Sequence, residues 1–258
     1  MAFFSKLFQK KTCSICGGEI GLLGNRKLEN GNMCKNCAAK LSPWFSDRRN
    51  STVEEINAQL EYREENKAAV AAFHTTRVLG ENTRLLLDED ACKFIVTSER
   101  NPVKGNPDVL DFSQVTGCQL DIEENCSEAF KEDEEGNDVS YTPPRYTYSY
   151  DFHIIIHVNH PYFDEMSFQL NSSSVETTND VPVPAHRKPD PRHNRDYMEY
   201  ETLGNEIKEI LTSARLKARE TAKAAVAPKS AVTCPWCGAP TTPDTSGRCE
   251  YCGGAVNA

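Results

Sequence analysis

Hydrophobic positions along this chain follow two periods, and the switch between them outlines the architecture. Across residues 51–73 the apolar residues Val53, Ile56, Leu60, Ala68, Ala69, Ala72 and Phe73 keep a loose three-to-four spacing, which predicts a helix. Its start is written twice as a capping box, Ser51 with Glu54 and Thr52 with Glu55. Glu54, Glu55, Arg63, Glu64, Glu65 and Lys67 are left for a solvated outer face. From Arg77 the spacing becomes that of strands. Residues 85–87 and 91–96 predict a hairpin around the acidic tip Asp88, Glu89, Asp90, and strands at 109–112 and 115–122 follow. Residues 146–158 alternate cleanly. Tyr146, Tyr148, Tyr150, Phe152, Ile154 and Ile156 share one side, His153 and His157 the other, and 163–170 supplies a partner strand across the His160-Pro161 turn. A second helix is predicted over 197–225, with Tyr200, Leu203, Ile207, Ile210, Leu211 and Ala214 on one face.

Two polar stretches interrupt this pattern. Residues 121–138 hold nine Asp or Glu and one Lys, which supplies most of the formal net charge of -9. They read as a solvated, mobile loop, and they lack the D-x-D-x-D-G spacing of a calcium loop. Residues 172–194 carry Pro182, Pro184, Pro189 and Pro191, with Arg187, Lys188, Arg192 and Arg195 nearby, and read as a basic polyproline-like loop.

Composition narrows the picture. The chain has 258 residues, 38% hydrophobic and 26% charged, enough for a real core. A net charge of -9 disfavours general binding to a phosphate backbone. There is no 18-residue apolar run for a spanning helix, and the N-terminus lacks the apolar core and cleavage site of a secretory signal, so the expected location is cytoplasmic. Phe4, Leu7 and Phe8 share a helical face, with Lys6 and Lys10 elsewhere. Residues 1–11 are thus either a short membrane-surface anchor or an apolar cap on the fold, and the cap is preferred.

Cysteine is the strongest chemical signal. Of 11 cysteines, eight form four C-x-x-C pairs: Cys13/Cys16, Cys34/Cys37, Cys234/Cys237 and Cys249/Cys252. Paired knuckles at this spacing spell two four-thiolate zinc ribbons, hence two zinc ions. Gly17, Gly238 and Gly253 follow the second cysteine in three of the knuckles, where a turn needs positive φ. A disulfide framework is disfavoured without an oxidising compartment, a thioredoxin-like pair would stand alone on a βαβ unit, and iron shares the same ligands. Four thiolates leave no open coordination position, so both sites are expected to be structural. Cys92 and Cys118 are expected to be small buried residues within strands, and no third metal site is expected from them with Cys126. His153 and His157 are read as surface or hydrogen-bonded residues rather than ligands.

The run from Cys13 to Gly21, residues 28–37, the Val53-Glu-Glu-Ile start and Tyr62-Arg63-Glu64-Glu65-Asn66 resemble a bacterial zinc-ribbon family known only as a domain of unknown function. That resemblance implies zinc and no activity. By element order, residues 77–222 look like a pleckstrin-homology-like domain of the bacterial kind, and the last 25 residues look like the short zinc ribbons that end many bacterial proteins. The expected class is therefore α+β. A curved antiparallel sheet or β-sandwich, pleckstrin-homology-like, is capped by a long C-terminal helix and flanked by two ribbons. The expected divisions are a ribbon at 1–45, a connecting helix at 51–74, the strand domain at 77–222, a tether at 223–231 and a second ribbon at 232–258.

No nucleotide-binding, zinc-protease or hydrolase motif is present. The expectation is a non-enzymatic adaptor that recruits a protein partner or sits at a membrane surface. A nucleic-acid- or transcription-associated ribbon protein and an unrecognised enzyme are the alternatives. A phosphoinositide ligand is disfavoured, because headgroup binding wants Lys or Arg where the first hairpin has its acidic tip. Partner and oligomeric state are not written in the sequence.

Overall fold

The computed structural model describes residues 11–178, 188–226, 232–242 and 247–256. The readings made for residues 1–10 and 179–187 lie outside these. Contacts divide the chain into two compact units, residues 1–216 and 217–258, and the expected boundaries near 45, 51 and 77 fall inside the first.

The first unit opens with a ribbon. Strands β1 (Lys11–Thr12) and β2 (Glu19–Ile20) pair antiparallel around the first knuckle. Strands β3 (Asn25–Lys27) and β4 (Asn32–Cys34) pair next, joined through the turn that Leu28 N closes on Gly31 O at 2.9 Å. The short helix α1 (Lys35–Ala38) carries the second knuckle. Helix α2 (Val53–Ala72) follows, capped by the second of the two possible boxes: Thr52 Oγ1 accepts from Glu55 N and Glu55 accepts from Thr52 N. Asn30, from the ribbon turn, also accepts from Val53 N at 2.8 Å. A Cβ on Gly31 would lie 2.7 Å from both Ser14 Oγ and Val53 Cγ2, so the close fit of turn to helix requires glycine there.

The ribbon and α2 share one small core. Ile20, Leu28, Met33, Leu41 and Ile56 are buried together, with Val53 and Leu60 packed against them. Ile56 therefore belongs to the ribbon as much as to its helix. The same helical face continues as Gln59, Arg63, Asn66 and Val70, all buried. This corrects the expected placing of Arg63 on the solvated face.

Two four-stranded antiparallel sheets follow. The first runs in simple order through β5 (Arg77–Leu79), β6 (Arg84–Asp88), β7 (Lys93–Thr97) and β8 (Val109–Asp111), with helix α3 (Pro102–Gly105) between β7 and β8. Leu85, Leu86, Leu87, Phe94, Ile95 and Val96 are all buried, so β6 and β7 are covered on both faces. The hairpin tip departs from expectation in two ways. Asp88 is buried and pairs with Lys93 in register, its carboxylate accepting from His74 N and Ala91 N at 2.9 Å each. Cys92 is exposed at φ 55 in the turn rather than buried in a strand.

The second sheet is built on one long strand, β10 (Asp138–Val158). Strand β9 (Val115–Glu132) pairs along one side of it. Along the other side lie β11 (Glu165–Gln169) and, further along, β12 (Val175–Thr178). Where β11 ends and β12 has not begun, the Asn171 side chain takes over the pairing. Its Oδ1 accepts from Phe152 N at 2.8 Å and its Nδ2 donates to Tyr150 O at 3.2 Å. Among the described residues the outer edge of β9 pairs with no strand.

The acidic stretch 121–138 is thus not a loop but half of this hairpin, turning only at 133–137. Near the base its inner face buries Cys118, Phe152, Ile154 and Ile156. Toward the tip both faces are solvated, and Phe130 (54%) and Tyr146 (38%) stand exposed. A two-stranded ribbon pairs its inward-facing backbone groups across the ladder and leaves the outward ones to water, so a polar sequence can hold it.

Helix α4 (Arg195–Val226) closes the first unit. Tyr197 meets Tyr150 and Phe152 edge-on, with ring centroids 5.0 and 5.1 Å apart, and Ile207 and Leu211 are fully buried. Gly204 lets the helix approach β9: a Cβ there would lie 2.5 Å from Leu120 Cδ1. Arg77 on β5 pairs with Glu206, so the helix touches both sheets.

The second unit holds two paired two-residue strands, β13 (Val232–Thr233) and β14 (Pro240–Thr241), around the third knuckle, and a bridge between Arg248 and Ala255 around the fourth. Its buried core is Cys234, Cys249 and Val256, with Val232 alongside.

Candidate metal centres

The eight paired cysteines gather into two groups, Cys13, Cys16, Cys34, Cys37 and Cys234, Cys237, Cys249, Cys252, with the sulfurs of each within 4.8 Å of one another. Each knuckle builds its place locally. In the first, Cys13 N donates to Gly18 O at 2.8 Å and Gly17 N to Cys13 O at 2.9 Å, with Gly17 at φ 72. The third and fourth repeat this: Gly238 N donates to Cys234 O and Gly253 N to Cys249 O, at φ 73 and 70. The second knuckle has no glycine because it is a helical turn. Cys34 caps α1, its sulfur accepting from Cys37 N at 3.4 Å.

Backbone N–H groups also aim at the sulfurs. Cys34 N donates to Cys13 Sγ at 3.2 Å, and Trp236 N to Cys234 Sγ at 3.4 Å. In each group one thiol ionises early and another resists. Burial pushes Cys13 up, but the amides of Cys16, Cys34 and Ile15 and the Cys16 side chain outweigh it and bring the thiol down to about 6. Burial and the thiols of Cys34, Cys16 and Cys13 hold Cys37 well above the ordinary value. In the second group burial is likewise overcome at Cys249, brought to about 6 by the amides of Cys252 and Tyr251 and the Thr241 hydroxyl. The Gly254 amide favours a Cys252 thiolate, yet burial and the other three side chains push it up to about 12. Four sulfurs around one point cannot all ionise unless a cation sits among them. The donor set thus fits a thiophilic metal of four-fold coordination.

Residues 12–59 match the model of a domain of unknown function, DUF4428. The match takes in the whole first centre and reaches α2 just past Ile56, the residue that completes the ribbon core. No match is found among curated proteins or among solved structures.

Among the described residues no other His, Cys, Asp or Glu group is arranged to hold a metal. His153 lies 4.0 Å from Glu123, while His157 lies 3.8 Å from Glu165 and 3.2 Å from Gln119 Nε2. Cys118 is buried as expected, and burial raises it to about 11; Cys126 is exposed on the hairpin.

A buried polar cluster was not legible in the spacing. The carboxylate of Asp108, just before β8, accepts from Arg63 Nη1 at 2.7 Å, Ser42 Oγ at 2.7 Å and Tyr62 OH at 3.2 Å. Arg63 also donates to Lys40 O at 3.2 Å and to Asn106 O. Asn66 grips the same segment, donating to Pro107 O at 2.8 Å and accepting from Val109 N at 3.0 Å. The cluster joins the ribbon's last turn, α2 and the first sheet. Its signal in the sequence was the Tyr62–Asn66 run, without its partner 45 residues on.

Proposed function

We propose that this chain is a non-enzymatic interaction protein of the cytoplasm whose two four-cysteine centres hold one zinc ion each. The observation carrying this is that each centre offers four sulfurs, which fills a tetrahedral zinc and leaves no position for water or substrate. The metal's task is then stability: the second ribbon has a core of only a few residues, and a structural zinc contributes roughly 10–16 kcal/mol of apparent binding energy to such small folds. Eleven unpaired thiols suit a reducing compartment.

Two antiparallel four-stranded sheets followed by a helix that touches both are consistent with a pleckstrin-homology-like platform. In this reading the β9–β10 hairpin is the contact element for a protein partner. It carries Phe130 and Tyr146 into solvent on an acidic stem, with Arg145 4.4 Å over the half-buried Tyr141 ring. Elemental analysis of the native chain tests the metal, with two zincs expected and one or none against. Affinity capture tests the hairpin, comparing the native chain with one in which residues 130–144 are replaced by Asn-Gly. Ala129 and Arg145 face each other in register, so a two-residue turn can close the ladder. Loss of specific partners from a folded variant is expected, and unchanged partners would remove the hairpin from the reading.

A further inference from the structure

The first ribbon carries a second feature that its metal does not explain. The turn Gly21–Gly24, closed by Gly24 N donating to Gly21 O at 3.0 Å, holds Leu22 and Leu23 at 87% and 91% exposure. No other large apolar residue among those described stands so far into water, and here two are adjacent. Exposed apolar tips of this kind mark interaction sites rather than stability.

Around the turn the charge is positive. Arg48 donates to Lys27 O, which fixes the 3-10 segment Asp47–Asn50 against β3. Arg26 donates to Leu23 O at 3.3 Å and Asn25 O at 3.2 Å, holding its guanidinium at the turn itself. Arg48 thus reaches the residue next to Arg26 and shares its 3-10 segment with Arg49; burial, and then the nearness of these two, make it a weaker base than usual. Among the described residues none of Arg26, Lys27, Arg48 and Arg49 forms an ion pair. Residues 11–50 contain seven Lys or Arg against three acids, Glu19, Glu29 and Asp47. A zinc bound by four thiolates carries a formal -2, so the ribbon remains net positive with its metal in place.

The chain entering the ribbon points to the same occupant. Lys11 pairs with Ile20, the residue just before the turn that carries the two leucines. The residues before it include Phe3, Phe4, Leu7 and Phe8 with Lys6 and Lys10. In sequence, apolar and basic residues thus stand just before the ribbon as well as within it.

We infer that this end of the first ribbon docks on an anionic lipid surface, with Leu22 and Leu23 entering the headgroup region and Arg26, Lys27, Arg48 and Arg49 facing the charged lipids. Apolar residues at the acyl boundary and cations within reach of acidic headgroups act together, since neither alone holds a protein firmly. A nucleic acid would engage the arginines but has no use for the leucines. The inference rests on the reading of the chain as an interaction protein, but not on which metal fills the centres.

The test is flotation of the full chain with vesicles of phosphatidylcholine alone or mixed with phosphatidylserine. Binding to the mixed vesicles is expected, weakened by salt and absent on phosphatidylcholine alone. Leu22→Ser with Leu23→Ser should weaken it at least about tenfold. Lys27→Glu and Arg49→Glu, whose exposed side chains make no hydrogen bond or ion pair among the described residues, should weaken it about fivefold each or more. Circular dichroism and elemental analysis confirm that each variant is folded and metal-loaded. Failure of the folded native chain to float with the mixed vesicles overturns the inference. So does a leucine variant that binds like the native chain, including the case where only removal of residues 2–10 abolishes binding. Displacement by inorganic phosphate at matched ionic strength, or tighter binding to duplex DNA or single-stranded RNA than to vesicles, also overturns it. Any of these failures leaves the zinc content and the hairpin test untouched, and a metal-free preparation leaves the vesicle result readable.

Discussion

Arg63 and Asp108 form an ion pair at 2.7 Å with side-chain exposures of 7% and 0%. Arg63 lies on α2 and Asp108 in the segment leading into β8, in different expected domains, so the pair is where the ribbon's helix is fastened to the first sheet. Asp108 has three donors and Arg63 three acceptors, so the charges are hydrogen-bonded as well as paired.

Removing one partner leaves the other charge buried and alone. Asp108→Ala is expected to cost about 3–5 kcal/mol, and Arg63→Ala a similar amount. Replacing both by apolar residues of similar volume should cost much less than the two single changes added together. Urea unfolding followed by circular dichroism checks this, and additive losses would mean that the pair is not the fastening.

Chelation should act unequally. The second ribbon depends on its centre, so a strong chelator is expected to unfold residues 232–256 while the two sheets keep their structure. Trp236 reports the event: its indole N–H donates to Ala255 O at 3.0 Å and its ring covers Gly254. In a Trp44→Phe background its emission should shift when metal leaves, and Cys249→Ser should show the metal-free signal from the start with one metal retained at the first centre. Far-UV circular dichroism that collapses wholly with the Trp236 signal would tell against separate units.

Gly204→Ala should destabilise although alanine is the better helix former by about 1 kcal/mol. The added methyl would sit 2.5 Å from Leu120 Cδ1 and 3.1 Å from its Cγ, and forcing the pair apart costs about 1–3 kcal/mol. Thermal melting decides it. A raised midpoint would show that α4 can lift from β9 at little cost.

Asp88 sets an acid limit. The amides of Ala91 and His74 hold its carboxyl below the ordinary aspartate value. A depressed folded pKa gives stability that is full above the unfolded value, about 3.9, and is lost as pH falls below it through the folded one. Asp88→Asn keeps one acceptor but turns an N–H donor toward a backbone N–H. It is expected to cost about 1–3 kcal/mol at neutral pH and to flatten this part of the acid profile. Stability measured from neutral pH down through the acid range checks both.

The cysteine spacing exposed both centres, because a knuckle is local: two intervening residues and a positive-φ glycine suffice to aim two sulfurs. The helix cap at Thr52 and the alternation along β10 were legible for the same reason. What escaped were features fixed by distant partners. Arg63 looks like any helix-surface arginine until Asp108 is brought against it. The acidic stretch looks like a loop because strand reading relies on apolar alternation, and the outer β9–β10 ladder has little. Cys92 read as strand because the register placing it in a left-handed turn is set by Asp88 pairing with Lys93.

Asn171 has a consequence for behaviour in concentrated solution. By completing the pairing of Phe152 and Tyr150 with a side chain, it closes the gap through which a foreign strand could have entered beside β10. Among the described residues the longest open edge of the second sheet is β9, opposite the shorter edges of β11 and β12, and its outer half carries Glu123, Glu128 and Glu132, with Glu124 paired to Lys188. Like-charged edges repel, which guards a sheet against stacking with its own copies. Neutralising these glutamates by acid, or screening them with salt, would take that guard away and leave β9 as the seed from which the protein aggregates.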